Sequence, residues 1–158
     1  MTNEVVEKNE NLEKGLIIPA NDTSNLDMIN ESDRVMYTSL TDKKTIFNLG
    51  TKVDYKLNDC ENKELLVKDV LIKTFRHENT EFNEQTGVVD NDISFSKVCI
   101  LIDDKGKSYV TGSKMFTNQM IDYIRFFGIE DIKKGLKVKI VKNKMSNSDN
   151  KYLAFELL

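Results

Sequence analysis

One amphipathic helix set among alternating segments constrains the fold of this chain more than any other feature. From Lys114 to Phe127 the apolar residues recur at spacings of one, three and four, the pattern of a helix with one buried side. Ser113 supplies an oxygen suited to cap its first turn, and Gly128 suits its end. The flanking segments alternate instead, so the chain must combine strands with this helix.

Five alternating segments surround the helix, three before it and two after it. They read ELLVKDVLIKTFRH, ISFSKVCILID, KSYVTG, GLKVKIVKNK and KYLAFELL. DDKG at 103–106 is a hairpin-turn signal, and the polar run ENTEFNEQTGVVDND reads as a long loop. The order β-β-β-α-β-β predicts a mainly β protein with the OB-fold, a small five-stranded Greek-key barrel.

The chain ahead of these segments divides into a tail and a short helix. Residues 1–34 hold eight acidic and three basic residues, which predicts a flexible acidic tail ahead of a domain at 35–158. Within the tail, GLIIPA reads as an apolar tethering patch, or as a short partner-binding or self-binding segment. In SLTDKKTIFNLGTK, Thr41 is suited to cap a short helix that Gly50 would end.

Alternation also predicts which side chains point outward from the barrel. Inward positions include Val110 on the third strand and Val98, Ile100 and Ile102 on the second. The second and third strands and the neighbouring loops of an OB-fold carry its ligand surface. The outward residues predicted to bind are Lys73, Phe75, Phe95, Lys97, Lys107, Tyr109, Thr111, Lys137, Lys139, Lys142, Lys144 and Tyr152. A register slip of one residue would instead put Phe95 in the core.

This mixture of rings and lysines has the chemistry of a surface for single-stranded nucleic acid. Rings stack on any base, and lysines neutralise phosphates, so neither contact requires a particular base. The charge distribution agrees, because from Lys105 onward there are 11 basic and five acidic residues. Lysine supplies 20 of the 23 basic residues, and as a point charge it suits phosphate better than directional base reading.

Composition excludes several other classes of protein. No apolar run approaches the roughly 20 residues that cross a bilayer, and the N-terminal segment lacks a signal-peptide pattern, so we expect a cytoplasmic protein with no membrane partner. Cys60 and Cys99 lack metal-ligand spacing and are expected to be free thiols. His77 reads as a loop-edge residue. No cofactor or metal is expected.

The segments GKSYVTGSKMFTNQMIDYIRFFG and LKVKIVKNKMSNSDNKYLAFELL resemble the single-stranded DNA-binding proteins of phages and conjugative plasmids of low-GC Gram-positive bacteria. Tyr109, Thr111, Gly112 and Ser113 leading into the helix, and Gly128 after it, carry the resemblance. It implies an OB-fold that coats unpaired DNA without sequence preference during replication, recombination or transfer. Self-association along the strand, RNA as a further ligand and the identity of any replication or recombination proteins that bind stay open. Typical relatives end in an acidic recruiting tail, whereas this chain ends in LAFELL and is acidic at its front.

Two alternatives remain at this point. An enzyme is disfavoured because the sequence has no phosphate-binding glycine loop, no nucleophile elbow and no metal-ligand motif. A non-catalytic interaction module of a phage or plasmid, built on the same barrel, would fit the acidic isoelectric point of about 5.3. Binding to a labelled oligonucleotide separates it from the main hypothesis.

Overall fold

The computed structural model describes residues 17–19 and 36–158, and the protein is mainly β, as the sequence predicts. The strands are β1 (Ile17–Pro19), β2 (Met36–Thr38), β3 (Tyr55–Lys56), β4 (Glu64–Asn83), β5 (Val88–Asp103), β6 (Ser108–Thr111), β7 (Leu136–Lys144) and β8 (Lys151–Leu157). The helices are α1 (Lys43–Leu49), α2 (Lys114–Phe127) and α3 (Ile129–Gly135), with a 3-10 turn at Leu57–Asp59. The predicted tail lies outside the described residues apart from β1, which pairs in parallel with β2.

The strands form one curled sheet that resembles half of a barrel. Strand β4 is its centre: β5 runs along one edge, while β2 and β7 share the other. The β4–β5 register shifts between Val67 and Asp69, so Lys68 is an extra residue. Such a bulge bends a strand and raises its twist, which helps the sheet curl.

The two faces of the sheet carry separate cores. The core face bears Val70 and Ile72 of β4 with Cys99 and Leu101 of β5, and it packs against α2 in the main core. The outer face bears Leu71 and Ile100, which form a smaller core with Ile46 of α1. Helix α1 therefore covers part of the outer face of β5 and β6, where the sequence predicted an open ligand surface.

Helix α2 begins and ends where the sequence predicts. The Ser113 Oγ accepts a hydrogen bond from the Phe116 backbone N–H at 3.3 Å, and Gly128 follows the helix with φ of 87°. Its buried side includes Phe116, Met120 and Ile124. Helix α1 differs from the prediction at its start, because Asp42 and not Thr41 accepts hydrogen bonds from the backbone N–H groups of the first turn.

Strand β8 pairs with β7 alone in the described part of the chain, and β6, which pairs with β5 and β3, does not pair with it. The side-chain amide of Gln119 instead bonds both backbone polar groups of Phe155, at 2.7 Å to its carbonyl oxygen and 3.0 Å from its N–H. A helix side chain thus occupies hydrogen-bonding positions that a neighbouring strand would take.

The predicted loop at 78–92 is wrong, because these residues extend the β4–β5 pair into a long hairpin. The two strands pair without interruption from Asp69–Ile102 to Asn83–Val88, and the turn has Gly87 at φ of 67°. Beyond Lys73 in β4 and Cys99 in β5, these two strands pair only with each other in the described part of the chain. We call residues 75–96 the arm.

Candidate nucleic-acid interface

The predicted site residues fall on different surfaces. On the core side lie Phe95, Lys97, Tyr109, Thr111, Lys142 and Lys144, and on the outer side lie Lys73, Phe75, Lys137, Lys139 and Tyr152, with Lys107 beyond the β5–β6 turn. Direct cross-strand partners share a face, and Phe75 pairs with Ser96 whereas Phe95 pairs with Arg76. Phe75 and Phe95 therefore stand on opposite faces of the same ribbon.

Tyr109 and Thr111 were predicted to be outward, and that prediction is wrong. Tyr109 is 2% exposed, and Thr111 is buried as well. The Tyr109 hydroxyl donates to Asp103 Oδ2 at 3.1 Å and accepts from Lys63 Nζ at 3.3 Å. Burial and the Asp103 hydrogen bond raise the pKa of Tyr109. Thr111 Oγ1 accepts from the Ser113 N–H, so it helps to set the start of α2.

The reason for this reversal is that both faces of β5 and β6 are covered. Val110, predicted inward, packs on the outer face against the small core of Ile46, Leu71 and Ile100. Cys99 and Leu101, predicted opposite to the core, lie in the main core. Where a strand is buried on both faces, its apolar residues do not alternate, so the pattern does not distinguish the faces.

The arm has an apolar face and an acidic face. Phe82, Val89, Ile93 and Phe95 lie on the continuation of the core face, with exposures of 63%, 53%, 46% and 41%. We call these four residues the apolar stripe. The opposite face carries exposed carboxylates, which are Glu81, Asp90 and Asp92.

Three cationic side chains lie near enough to influence one another where the arm leaves the curled sheet. Lys97, half-buried on β5, donates to Asn118 Oδ1 of α2 at 3.2 Å. Burial lowers the pKa of Lys97, and the positive charges of Lys114 and Arg125 lower it further. We call Lys97, Lys114 and Arg125 the cationic cluster.

The three members of the cluster differ in their ionic partners. In the described part of the chain, neither Lys97 nor Lys114 forms an ion pair, while Arg125 lies 3.8 Å from the exposed carboxylate of Asp122. Like charges held together are unfavourable until an anion binds between them. Phe95, two residues from Lys97 and on the same face, adds an exposed ring beside the cluster.

The remaining predicted lysines are less suited to act together. Lys73 Nζ lies 5.5 Å from the Phe75 ring centroid on the outer face. On β7, Lys139 stands opposite Glu64 and Glu156, and Lys144 pairs with Asp149 at 3.2 Å. These carboxylates partly neutralise the predicted β7 surface.

A second aromatic feature was missed by the sequence analysis. Tyr55 is 45% exposed and stacks on Tyr109 with ring centroids 5.2 Å apart, and Lys63 Nζ lies 5.0 Å from both centroids. Two hollows of about 470 and 290 Å³ flank this ring, and the carboxylates that line them are Asp54, Asp59, Glu64, Asp103 and Asp104. Lys56, Lys63, Lys105 and Lys107 line the same hollows, so positive and negative charges largely balance there. The cationic cluster, with its excess of positive charge, is therefore the stronger candidate for binding phosphate.

The sequence carried a signal for part of the cluster. Lys114, Asn118 and Arg125 recur at spacings of four and seven, which places them on one side of α2. Nothing local connects that side to Lys97, because their proximity depends on how α2 packs against β5.

Other kinds of site and other proteins give no competing assignment. No group of three or more potential metal-ligating side chains occurs within residues 36–158 and 17–19. Cys60 and Cys99 are buried free thiols, and His77 Nε2 lies 2.7 Å from Ser96 Oγ on the exposed outer face of the arm. Among the described helices, none has the length and apolar character required to cross a bilayer.

Comparison with protein-family models, curated proteins and solved structures finds no match.

Proposed function

We propose that this protein binds single-stranded DNA without sequence preference, at the base of the arm. The observation that carries the proposal is the cationic cluster of Lys97, Lys114 and Arg125 beside the exposed ring of Phe95. Phosphates neutralise the cluster, and a base stacks on Phe95. The protein acts by binding rather than catalysis, in the cytoplasm of a bacterial host during replication, recombination or transfer of mobile DNA.

An OB-fold is the finer architecture that we propose for the curled sheet. Its support is the order β4, β5, β6, α2, β7, β8, with pairing of β4 to β5 and β7, β5 to β6, and β7 to β8. Such barrels bind oligonucleotides with the face of the second and third strands and the adjacent loops. The proposed site at the base of the arm lies on β5, the second of these strands, but on the core side next to α2 and not on the outer face that α1 partly covers.

Unpaired DNA fits this site better than a duplex does. A stacking ring requires access to a base face, which a duplex hides. The proposed site offers an exposed ring next to cations instead of a row of side chains that could read base edges in a groove. We therefore expect tolerance of sequence and weaker binding to a duplex.

Fluorescence polarisation with labelled poly-dT at two salt concentrations tests the proposal. We expect single-strand binding that weakens as salt rises, with a matched duplex bound at least about tenfold more weakly. A labelled poly-U strand in the same series measures the preference for DNA over RNA. Absence of binding to any single strand at low salt would overturn the proposal and favour the interaction module.

A further inference from the structure

The outer half of the arm carries exposed apolar side chains that the proposed DNA site does not use. Phe82, Val89 and Ile93 lie on one face, and their exposures range from 46% to 63%. An isolated two-stranded ribbon is marginally stable in water unless its apolar face packs against something. This ribbon extends well beyond its last contact with β2 and β6.

We infer that the apolar stripe packs against the same stripe of a second copy of this chain, in a two-fold contact between arms. A two-fold interface uses one patch on both copies, so the patch must complement itself. The stripe meets that condition because its four residues are uncharged, as are Thr80 and Asn91 on the same face. The two charged positions of that face, Arg76 and Glu78, are opposite in sign and pair with Phe95 and Ile93.

The charges of the arm favour this occupant over an anionic one. Residues 77–96 hold five acidic residues and no Lys or Arg, so the tip repels nucleic acid and anionic lipid. Glu81, Asp90 and Asp92 lie on the face opposite to the stripe. Two copies can therefore join stripe to stripe while these carboxylates remain in water.

Charge also decides how the two arms are oriented. If the tips met, their acidic residues would repel. If each tip lay over the other copy's arm base, it would approach the cationic cluster of that copy. The stripe from Val89 to Phe95 spans roughly 20 Å, so in this antiparallel arrangement the tip reaches the base.

The contact is small, which predicts a reversible dimer. Two phenylalanines, one valine and one isoleucine per copy expose less than the roughly 800 Å² per partner of a standard stable interface. The association does not require the proposed DNA binding, although the two contacts share Phe95 and the cationic cluster at the base of the arm.

Sedimentation equilibrium of the full chain without DNA, over a concentration series at low salt, tests this inference. Val88 and Val89 form a matched pair, with exposures of 52% and 53% on opposite faces of the arm. We expect Val89→Ser to raise the dimer dissociation constant about tenfold or more, and Val88→Ser to change it less than about threefold. Circular dichroism checks that both variants fold.

Three results would overturn the inference or its orientation. A monomer at all concentrations up to about 1 mM rules out the contact. An equal effect of the two serine variants rules out the stripe as the interface. For the orientation, the double change Glu81→Gln with Asp90→Asn should weaken association, whereas tighter association would show that the tips meet. Oligonucleotide binding is measured separately, so a failed DNA proposal leaves these outcomes unaffected.

Discussion

The base and the tip of the arm share one sheet face but meet opposite electrostatic surroundings. At the base, Phe95 stands beside Lys97, and α2 adds Lys114 and Arg125. At the tip, Phe82 and Val89 are exposed on one face of the ribbon, and the charged side chains on the other face there are the carboxylates of Glu81 and Asp90. The sheet period sets which side chains share the face, but the packing of α2 determines which part of that face attracts phosphate.

On the same face, the burial of the β5 side chains increases from the arm toward the curled sheet. Cys99 and Leu101 are fully buried, Lys97 is half-buried, and Phe95 is exposed. Alternate residues of β5 therefore lie in three environments: Leu101 and Cys99 in the core, Lys97 in the cationic cluster, and Phe95 in the solvent-exposed apolar stripe. Variants at each position can separate these three environments.

The largest effect is expected at the cationic cluster. Lys97→Gln combined with Lys114→Gln removes two charge-assisted phosphate contacts of about 1.5–3 kcal/mol each. We expect affinity for poly-dT at low salt to fall about 100-fold or more, and the magnitude of the salt slope to fall by about 1.4. Polarisation titrations at several salt concentrations measure both quantities.

The control carries the same loss of charge elsewhere. Lys43→Gln with Lys44→Gln changes two exposed lysines of α1. We expect less than about a threefold loss of affinity, because general attraction between exposed charges is screened by salt. Equal losses in both double variants would mean that overall charge, and not the cluster, attracts the strand.

A smaller effect distinguishes the two faces of the ribbon. Phe95 and Phe75 are 41% and 37% exposed on opposite faces near the arm base. Phe95→Ala should weaken binding by about 1–3 kcal/mol through loss of stacking, and Phe75→Ala by much less. Urea unfolding of both variants corrects for stability. A greater loss from Phe75→Ala would move the site to the outer face.

Features governed by local sequence could be predicted. Ser113, the apolar period of α2 and Gly128 lie within one short segment, so its bounds followed from capping and periodicity. The turn at 103–106 followed in the same way, with the Asp103 carboxylate accepting from the N–H groups of Lys105 and Lys107. Leu136, Val138 and Ile140 alternate against water, so the inner face of β7 was also correct.

Features that depend on tertiary packing could not be predicted. The bulge near Lys68 shifts the alternation of β4, so odd positions such as Leu65 and Val67 are buried before it and even positions such as Val70 and Ile72 after it. The arm is exposed on both faces, and its polar composition therefore gave the signal of a loop. Lys97 was named correctly, but its cationic neighbours on α2 depend on packing between distant segments.

The smallest effect on binding is expected at the buried end of the face, where Tyr109→Phe removes a hydroxyl bonded to Asp103 and Lys63. We expect a loss of about 1–2 kcal/mol in the free energy of unfolding and unchanged poly-dT affinity at neutral pH. The raised pKa of Tyr109 means that unfolding lets this hydroxyl ionise more readily. Its contribution to stability is therefore present below about pH 10, the ordinary tyrosine value, and declines as pH rises above it.

Urea unfolding at pH 8 and pH 11 measures this contribution, and Tyr109→Phe should lose less stability than the wild type between the two conditions. Tyr123, whose pKa is also raised by burial and a hydrogen bond to Asp131, remains in the variant as an internal reference. If Tyr109→Phe left stability unchanged but weakened DNA binding as much as Phe95→Ala, the Tyr109 hydroxyl would contact the ligand. The DNA-binding face would then extend inward past Lys97, because Tyr109 pairs with Leu101 on the same face.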